Sequence, residues 1–176
     1  MEKEKPRLMA AAVWGVLGFS FLIGSAVYRL TPRALVPINE GLLTSWWRWA
    51  LYGGSILVNT YVEGYKAFHK ATSPRIVARA MYLARNPRPL FVLLAPLFCM
   101  GLFYATKKRL IVNWCVYVGV ITLIILVKMA PQPYRGIVDA GVVVALSVGL
   151  LSLFFYFAKA LGGAEMPVPP DVPLAS

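Results

Sequence analysis

Residues 136–158 read GIVDAGVVVALSVGLLSLFFYFA, and Asp139 is their only charged residue. A transmembrane α-helix needs about 20 consecutive apolar residues, so this stretch is long enough to cross a bilayer. Gly141, Ala145 and Gly149 recur at four-residue intervals, which puts them on one face of a helix. Small residues in that arrangement let a second helix approach closely. The stretch therefore predicts a membrane span whose small-residue face packs against another helix.

Four further apolar runs accompany this one. They cover residues 8–30, 41–62, 90–106 and 110–127. Hydrophobic residues make up 59% of the 176-residue chain and the mean hydropathy is +0.67, above the roughly 45–50% apolar share of soluble domains. Uninterrupted apolar runs of this length fit helices, because the strands of a membrane barrel are shorter and alternate with polar residues. We therefore expect an all-α integral membrane protein with a single transmembrane domain, residues 1–161.

The sequence favours about five transmembrane helices. The run at residues 90–106 is uncharged but short, and Pro96 lies in its middle. Four spans plus a re-entrant hairpin at this run are therefore the alternative. In the first run Gly15 and Gly24 lie four residues after Ala11 and Ser20, so we expect both glycines at helix contacts.

Prolines indicate where the first connection lies. Pro32 and Pro37 fall in residues 29–40, and proline interrupts helices because it lacks an amide donor. We expect a short external connection there. A second proline-rich segment, residues 162–176, follows the last span, and we expect an extended tail.

The polar stretch at residues 63–89 predicts an amphipathic helix between spans two and three. Pro74 is suited to the first helical turn after a Ser73 cap, and a helix over residues 74–85 has an apolar side and a cationic side. Such a helix is typical of the membrane surface, where cations contact anionic headgroups. The candidate headgroup contacts are Lys70, Arg75, Arg79, Arg85 and Arg88.

Six Lys and Arg residues in that same stretch indicate orientation, because short cytoplasmic loops are enriched in cations. Five spans then put the N-terminus on the cytoplasmic or matrix side and the C-terminus on the opposite side. Four spans with a re-entrant hairpin put both termini inside, together with more of the cations. A bacterial inner membrane is the simplest host, and an organelle inner membrane follows the same charge rule.

Four polar residues near or inside the predicted spans are candidates for a polar path: Arg48, Asn59, Glu63 and Asp139. Ionisable groups at membrane depth are costly and often functional. Structural interpretations compete with this one. Arg48 lies among Trp46, Trp47 and Trp49 and suits an interfacial anchor, and Asp139 can pair with Arg135 four residues earlier.

Catalytic chemistry has little support in the sequence. His69 is the only histidine, and Cys99 and Cys115 lie in apolar runs without a metal-binding spacing. The net charge of +11 fits anionic lipid at helix ends better than nucleic acid. We expect no cofactor, no metal, no nucleic-acid partner and no enzymatic activity.

We expect a non-catalytic multi-pass protein that serves as an accessory or structural subunit of a larger membrane complex. Its partners would be other membrane subunits and anionic phospholipids. One alternative is a small homo-oligomeric transporter or channel. The other is a protein that binds lipids or shapes membranes.

Overall fold

The computed structural model describes residues 8–173, and within that range the protein is helical, without strands. Three of its helices are long and apolar enough to cross a membrane, with mean hydropathies of 1.9, 2.6 and 2.3 for α1, α6 and α7. The prediction of an all-helical chain is therefore confirmed, and the three apolar helices are compatible with an integral membrane protein. The elements are α1 (Met9–Asn39), α2 (Trp46–Asn59), a π-helical segment (Thr60–Thr72), α3 (Ser73–Arg85), α4 (Pro89–Leu93), α5 (Ala95–Cys99), α6 (Lys107–Met129) and α7 (Tyr134–Leu161).

Parts of two predictions lie outside the described residues. The predicted inside location of the N-terminus rests partly on cations within residues 1–7, and the predicted tail includes residues 174–176.

Helix α1 continues through both prolines, so the expected connection at residues 29–40 is wrong. Proline fixes φ near the helical value, and its main cost is the lost bond to the carbonyl four residues earlier. Next to the Pro37 ring lies Gly136 at the start of α7, where any side chain would collide with that ring. The hydroxyl of Tyr52 donates to the carbonyl oxygen of Ala34 at 3.0 Å. Packing in this region thus stabilises a helix that local sequence disfavours.

Residues 46–85 form one uninterrupted helical element, which we call the rod. It comprises α2, the π-helical segment and α3, and the backbone keeps right-handed helical dihedrals at both junctions. The sequence predicted a span over residues 41–62 followed by a polar connection, whereas the helix begins at Trp46 and continues through the polar residues. The predicted helix at 74–85 is present as the end of the rod.

Packing on α7 organises the rest of the fold. A Cβ atom at Gly141 would lie 2.5 Å from Asn59 Nδ2, and one at Gly149 would lie 2.7 Å from the Phe68 ring. These two contacts occur in the same order along both elements, so the rod and α7 run parallel. The contact between Pro37 and Gly136 joins the end of α1 to the start of α7, so α1 runs antiparallel to both.

The run at residues 90–106 is not a continuous helix, so the prediction of a third helical span with those bounds is wrong. Two single-turn helices, α4 and α5, are followed by irregular chain with φ of 71° at Gly101 and 50° at Tyr104. The ring of Phe91 lies 4.8 Å from that of Tyr104 between centroids. The segment therefore folds back on itself, and α5 packs on α1 at Gly15.

Helix α6 touches the rest of the protein mainly near its first turns. Asn113 Nδ2 donates to the carbonyl oxygen of Gly101 at 2.9 Å, and the Tyr117 hydroxyl donates to that of Met100 at 3.2 Å. No residue of α6 is buried. Beyond these contacts, the helix presents its apolar side chains to its surroundings.

The contact of Gly141 with the rod generates a stability prediction. We expect Gly141→Ala to lower the free energy of unfolding by about 1–3 kcal/mol, as overpacking does, because the added methyl group would meet Ser55 O at 2.7 Å. Thermal unfolding in detergent measures the change. Gly24→Ala is the matched control, because a Cβ at Gly24 meets nothing within 4 Å. Equal stability of the two variants would contradict the prediction.

Candidate functional site

The π-helical segment lies beside the apolar middle of α7. The Gly64 Cβ position is 3.4 Å from the carbonyl oxygen of Ala145, and His69 Nδ1 is 3.0 Å from Ser152 Oγ. Residues 145–152 occupy the central part of α7, which is one of the three apolar helices that could cross a membrane. The polar segment of the rod is therefore level with the interior of an apolar helix.

Stacked rings and lysines form the outer surface of this segment. The ring centroids of Tyr61 and Tyr65 are 6.1 Å apart, and those of Tyr65 and His69 are 5.6 Å apart. The ammonium of Lys66 lies 4.8 Å from the Tyr61 ring centroid, and that of Lys70 lies 4.8 Å from the Tyr65 ring centroid. We call these five residues the lysine–aromatic ladder.

The π-helical backbone explains the stacking. A helix with i→i+5 hydrogen bonds has more residues in each turn than an α-helix, so residues four apart come closer to alignment along the axis. The tyrosines keep 55% and 42% of their surface exposed at positions 61 and 65, and both lysines are also exposed. The ladder thus has one face without any cover from residues 8–173.

Both lysines point toward the start of the rod. Each ammonium contacts the ring five residues earlier, the usual direction of side chains on helices. If these lysines extended toward the membrane surface at the Arg85 end of the rod, they would point in the opposite direction. The two charges therefore remain level with the middle of α7.

His69 connects the ladder to α7. Besides its contact with Ser152, its ring lies 5.3 Å from the Tyr156 ring and 6.2 Å from the Phe155 ring between centroids. The imidazole is thus held between aromatic rings of two helices, and the hydrogen bond to Ser152 fixes its orientation.

The four residues predicted for a polar path do not form one group. Arg48 donates to the carbonyl oxygen of Leu42 at 2.8 Å, and Asn59 donates to that of Ser55 at 2.8 Å. Asp139 is only 5% exposed and pairs with Arg135 at 3.8 Å. Glu63 is half-buried and has no ion pair within residues 8–173.

Arg79 occupies a second polar site, in α3, beyond the end of the ladder at Lys70. Its Nε donates to the carbonyl oxygen of Phe98 at 2.6 Å, and one terminal nitrogen donates to that of Pro170 at 2.9 Å. The other terminal nitrogen donates to the carbonyl oxygens of Phe103 and Tyr104 at 3.0 and 3.1 Å. A single guanidinium therefore joins α3, the folded-back segment and the tail.

Burial of this guanidinium is nearly complete. Arg79 is 3% exposed, and its guanidinium carbon lies 4.3 Å from the Phe98 ring centroid. An arginine side chain keeps its charge in proteins. A buried charge must be paired or hydrogen-bonded, and here four carbonyl oxygens satisfy that requirement.

Asp171 attaches the tail next to Arg79. Its Oδ2 lies 2.8 Å from Arg109 Nε and 3.5 Å from Arg75 Nε, and its carbonyl oxygen accepts the Thr106 amide at 3.0 Å. The tail is thus joined to α3 and to the start of α6 by one carboxylate.

The residues predicted to contact headgroups occupy different environments. Arg79 is buried, so its predicted place on the polar face of a surface helix is corrected: its guanidinium is oriented toward carbonyl oxygens of the chain. Arg75 pairs with the tail. Lys70, Arg85 and Arg88 are exposed, and Arg88 lies over the rings of Phe91 and Tyr104.

The predicted packing residues also differ from one another. Gly141 and Gly149 contact the rod, and Gly15 contacts α5 through Cys99 and Ala95. Ala145 is fully buried. Gly24 has open space on its side of α1, so it is not a contact between helices of this chain.

Comparison with protein-family models, curated proteins and solved structures gave no match to this chain. Within residues 8–173, no group of three His, Cys, Asp or Glu residues is placed to hold a metal ion. The geometry of the two polar sites is therefore the basis for the functional proposal.

Sequence reasoning missed both polar sites as assemblies. Tyr61, Tyr65 and His69 recur at four-residue intervals, and Lys66 and Lys70 share that interval, which was a detectable signal. The partnership of Asp171 with Arg75 and Arg109 had no local signal, because the three residues come from distant parts of the chain.

The hydrogen bonds of Arg79 generate a second prediction. We expect Arg79→Gln to lower the free energy of unfolding by about 3–5 kcal/mol, the cost of removing one partner of a buried charged network. Thermal unfolding in detergent measures this loss. Arg85→Gln is the control, because Arg85 is exposed at the end of the same helix. An Arg79→Gln variant as stable as its control would contradict the role of Arg79.

Proposed function

We propose that this chain is a non-catalytic, multi-pass accessory or structural subunit of a larger membrane complex. The observation that carries this proposal is the lysine–aromatic ladder. Its two lysines are exposed and lie level with the apolar middle of α7. A polar surface at that level needs a protein partner or water, because lipid tails solvate ammonium groups poorly.

The energetic argument depends on depth. A charged residue at the centre of a membrane helix costs roughly 2.5–3.5 kcal/mol on insertion scales. Lysines can reduce this cost by extending toward the headgroups, but both ammoniums of the ladder are directed back along the rod. Contact with a partner segment removes them from lipid at this position.

Charge and ring content indicate the chemistry of that partner. The ladder offers two cations and three stacked rings. Tyrosine is enriched at protein interfaces, and a carboxylate would compensate the ammoniums. We propose that the partner is a transmembrane helix of another subunit with at least one Asp or Glu at the same depth.

We expect the purified wild-type protein to carry a stoichiometric membrane partner, and the double variant Lys66→Gln/Lys70→Gln to lose most of it. Extraction in mild detergent followed by native mass spectrometry measures both. The matched control is Lys107→Gln/Lys108→Gln, which removes two exposed lysines at the start of α6. A wild-type protein that is always a lone monomer would overturn the proposal.

We further propose four membrane crossings, by α1, the rod, α6 and α7, with residues 89–106 as a re-entrant segment. The amide of Leu8 donates to the carbonyl oxygen of Ala84 at 2.9 Å, so α1 begins where the rod ends. Ala11 and Ala160 belong to one core cluster. Together with the antiparallel packing of α1 on α7, in which Pro37 meets Gly136, the bond from Leu8 puts the start of α1 and the end of α7 at one end of the bundle.

Three groups of cations lie toward this same end. They are the arginines of α3, residues 107–109 in the first turn of α6, and Lys159 near the end of α7. The enrichment of cations in cytoplasmic segments supports an inside location for it. We propose a bacterial inner membrane with both chain ends in the cytoplasm. An organelle inner membrane with both ends in the matrix is the alternative host.

Reporter fusions test the topology. We expect green fluorescent protein fused after residue 176 to fluoresce in bacteria and alkaline phosphatase fused there to be inactive. Fusions at Pro131, between α6 and α7, should give the reverse pattern. An active phosphatase at the C-terminus would support five spans and contradict this topology.

A homo-oligomeric transporter or channel is the second candidate. In a ring of copies, the ladder could line a shared aqueous path, and its cations favour anions. Chloride flux into vesicles that contain the purified protein would test this function. If Lys66→Gln reduces the chloride flux and Asp139→Asn leaves it unchanged, the ladder is favoured as the path. Vesicles without any flux would leave the subunit function as the better proposal.

A further inference from the structure

The site where the tail docks holds more positive charge than the carboxylate of Asp171 neutralises. Arg75, Arg79 and Arg109 surround the region where Pro170 and Asp171 dock. Arg79 has its hydrogen bonds satisfied by carbonyl oxygens, which carry no net charge. One carboxylate therefore faces three guanidinium groups.

Two of these arginines use little of their bonding capacity. Arg75 and Arg109 each approach Asp171 through Nε alone, and both approach the same oxygen, Oδ2. An arginine has five N–H donors arranged in a planar fork, which suits phosphate and carboxylate equally. The terminal nitrogens of both arginines have no hydrogen-bond partner within residues 8–173.

The location of the site suits a ligand from the membrane surface. Arg109 lies in the first turn of α6, one of the apolar helices that could cross a membrane. Lys107 and Lys108, next to it, are exposed. Arg75 follows the π-helical segment, three residues beyond its end at Thr72. The carboxylate of Asp171 thus lies near the end of a span, where headgroups occur.

We propose that Arg75 and Arg109 form a binding site for a phosphate group of an anionic phospholipid, and that Asp171 occupies this site as a displaceable internal ligand. A phosphodiester oxygen takes the position of Asp171 Oδ2 and accepts hydrogen bonds from both guanidinium groups. The second phosphate oxygen can engage the terminal nitrogens that the carboxylate leaves unused.

Displacement moves only the tail. Gly162 and Gly163 follow α7, and Gly163 has a φ of +83°, a conformation that glycine adopts without strain. Residues 161–165 are exposed, so they can change direction at low cost. Leaving the site breaks the two ion pairs, the bond between Thr106 and Asp171 and the bond from Arg79 to Pro170, and it removes Met166 and Val172 from the core against which they pack. Arg79 keeps its three other carbonyl partners.

Hydrogen exchange on the full chain in nanodiscs tests the displacement. We expect the Thr106 amide, which donates to the Asp171 carbonyl oxygen when the tail is docked, to exchange roughly tenfold faster in phosphatidylcholine discs with phosphatidylglycerol than in discs without it, which corresponds to about 1.4 kcal/mol. In Asp171→Asn we expect fast exchange in both discs. Glu165→Gln is the matched control, because Glu165 belongs to the same tail and is exposed.

Lipid retention provides the second measurement. In native mass spectrometry, Asp171→Asn should retain more phosphatidylglycerol than the wild type, and Arg75→Gln/Arg109→Gln should retain less than either. Identical lipid retention by the wild type and both variants, together with hydrogen exchange that phosphatidylglycerol does not change, would overturn the proposal. This result would leave the subunit function untouched, because that function rests on the ladder.

A further experiment distinguishes a soluble anion from the lipid as the ligand. Inorganic phosphate is added to discs of phosphatidylcholine alone. Tail release by phosphatidylglycerol without release by inorganic phosphate supports the lipid as ligand. Release by inorganic phosphate without release by phosphatidylglycerol would overturn the lipid assignment and identify a site for soluble phosphate.

Discussion

Between the rod and α7 there is almost no side-chain layer, because Gly64, Gly141 and Gly149 let the two elements approach closely. This contact fixes the axial position of the rod relative to an apolar helix. The depth of every polar group in the rod therefore depends on this contact. A shift of one turn would move the ladder toward a membrane surface, where its lysines would need no partner.

Arg79 has a comparable role at the other end of the rod. Irregular backbone is tolerated near a membrane only where its polar groups are satisfied by protein or water. The Arg79 guanidinium donates to the carbonyl oxygens of Phe98 in α5 and of Phe103 and Tyr104 in the irregular chain after it, as well as to the tail. The folded-back segment and the docked tail are therefore stabilised by one buried side chain.

The two polar sites fit different functions. The ladder is uncovered and level with the apolar middle of α7, so a protein partner is the best candidate to cover it. The arginine site is already covered, by a carboxylate of the same chain, and it lies near the start of α6. A subunit that binds its partner through the rod and senses anionic lipid through its tail would use both sites without competition between them.

The sequence by itself determined the membrane class, and it located α1, α6 and α7, because long apolar runs have few alternatives to a helix in lipid. It also identified the small residues of α7 as a packing surface. Its errors arose where tertiary packing overrides local preference. Helix α1 passes through Pro32 and Pro37 because α2 and α7 pack against that region, and irregular chain within residues 90–106 is stabilised because Arg79 donates to the carbonyl oxygens of Phe103 and Tyr104. Only the tertiary structure decided that the polar residues 60–72 continue a helix level with the middle of α7, and that Asp171 meets Arg75 and Arg109. Both results depend on contacts between residues far apart in the chain, which local pattern and spacing do not encode.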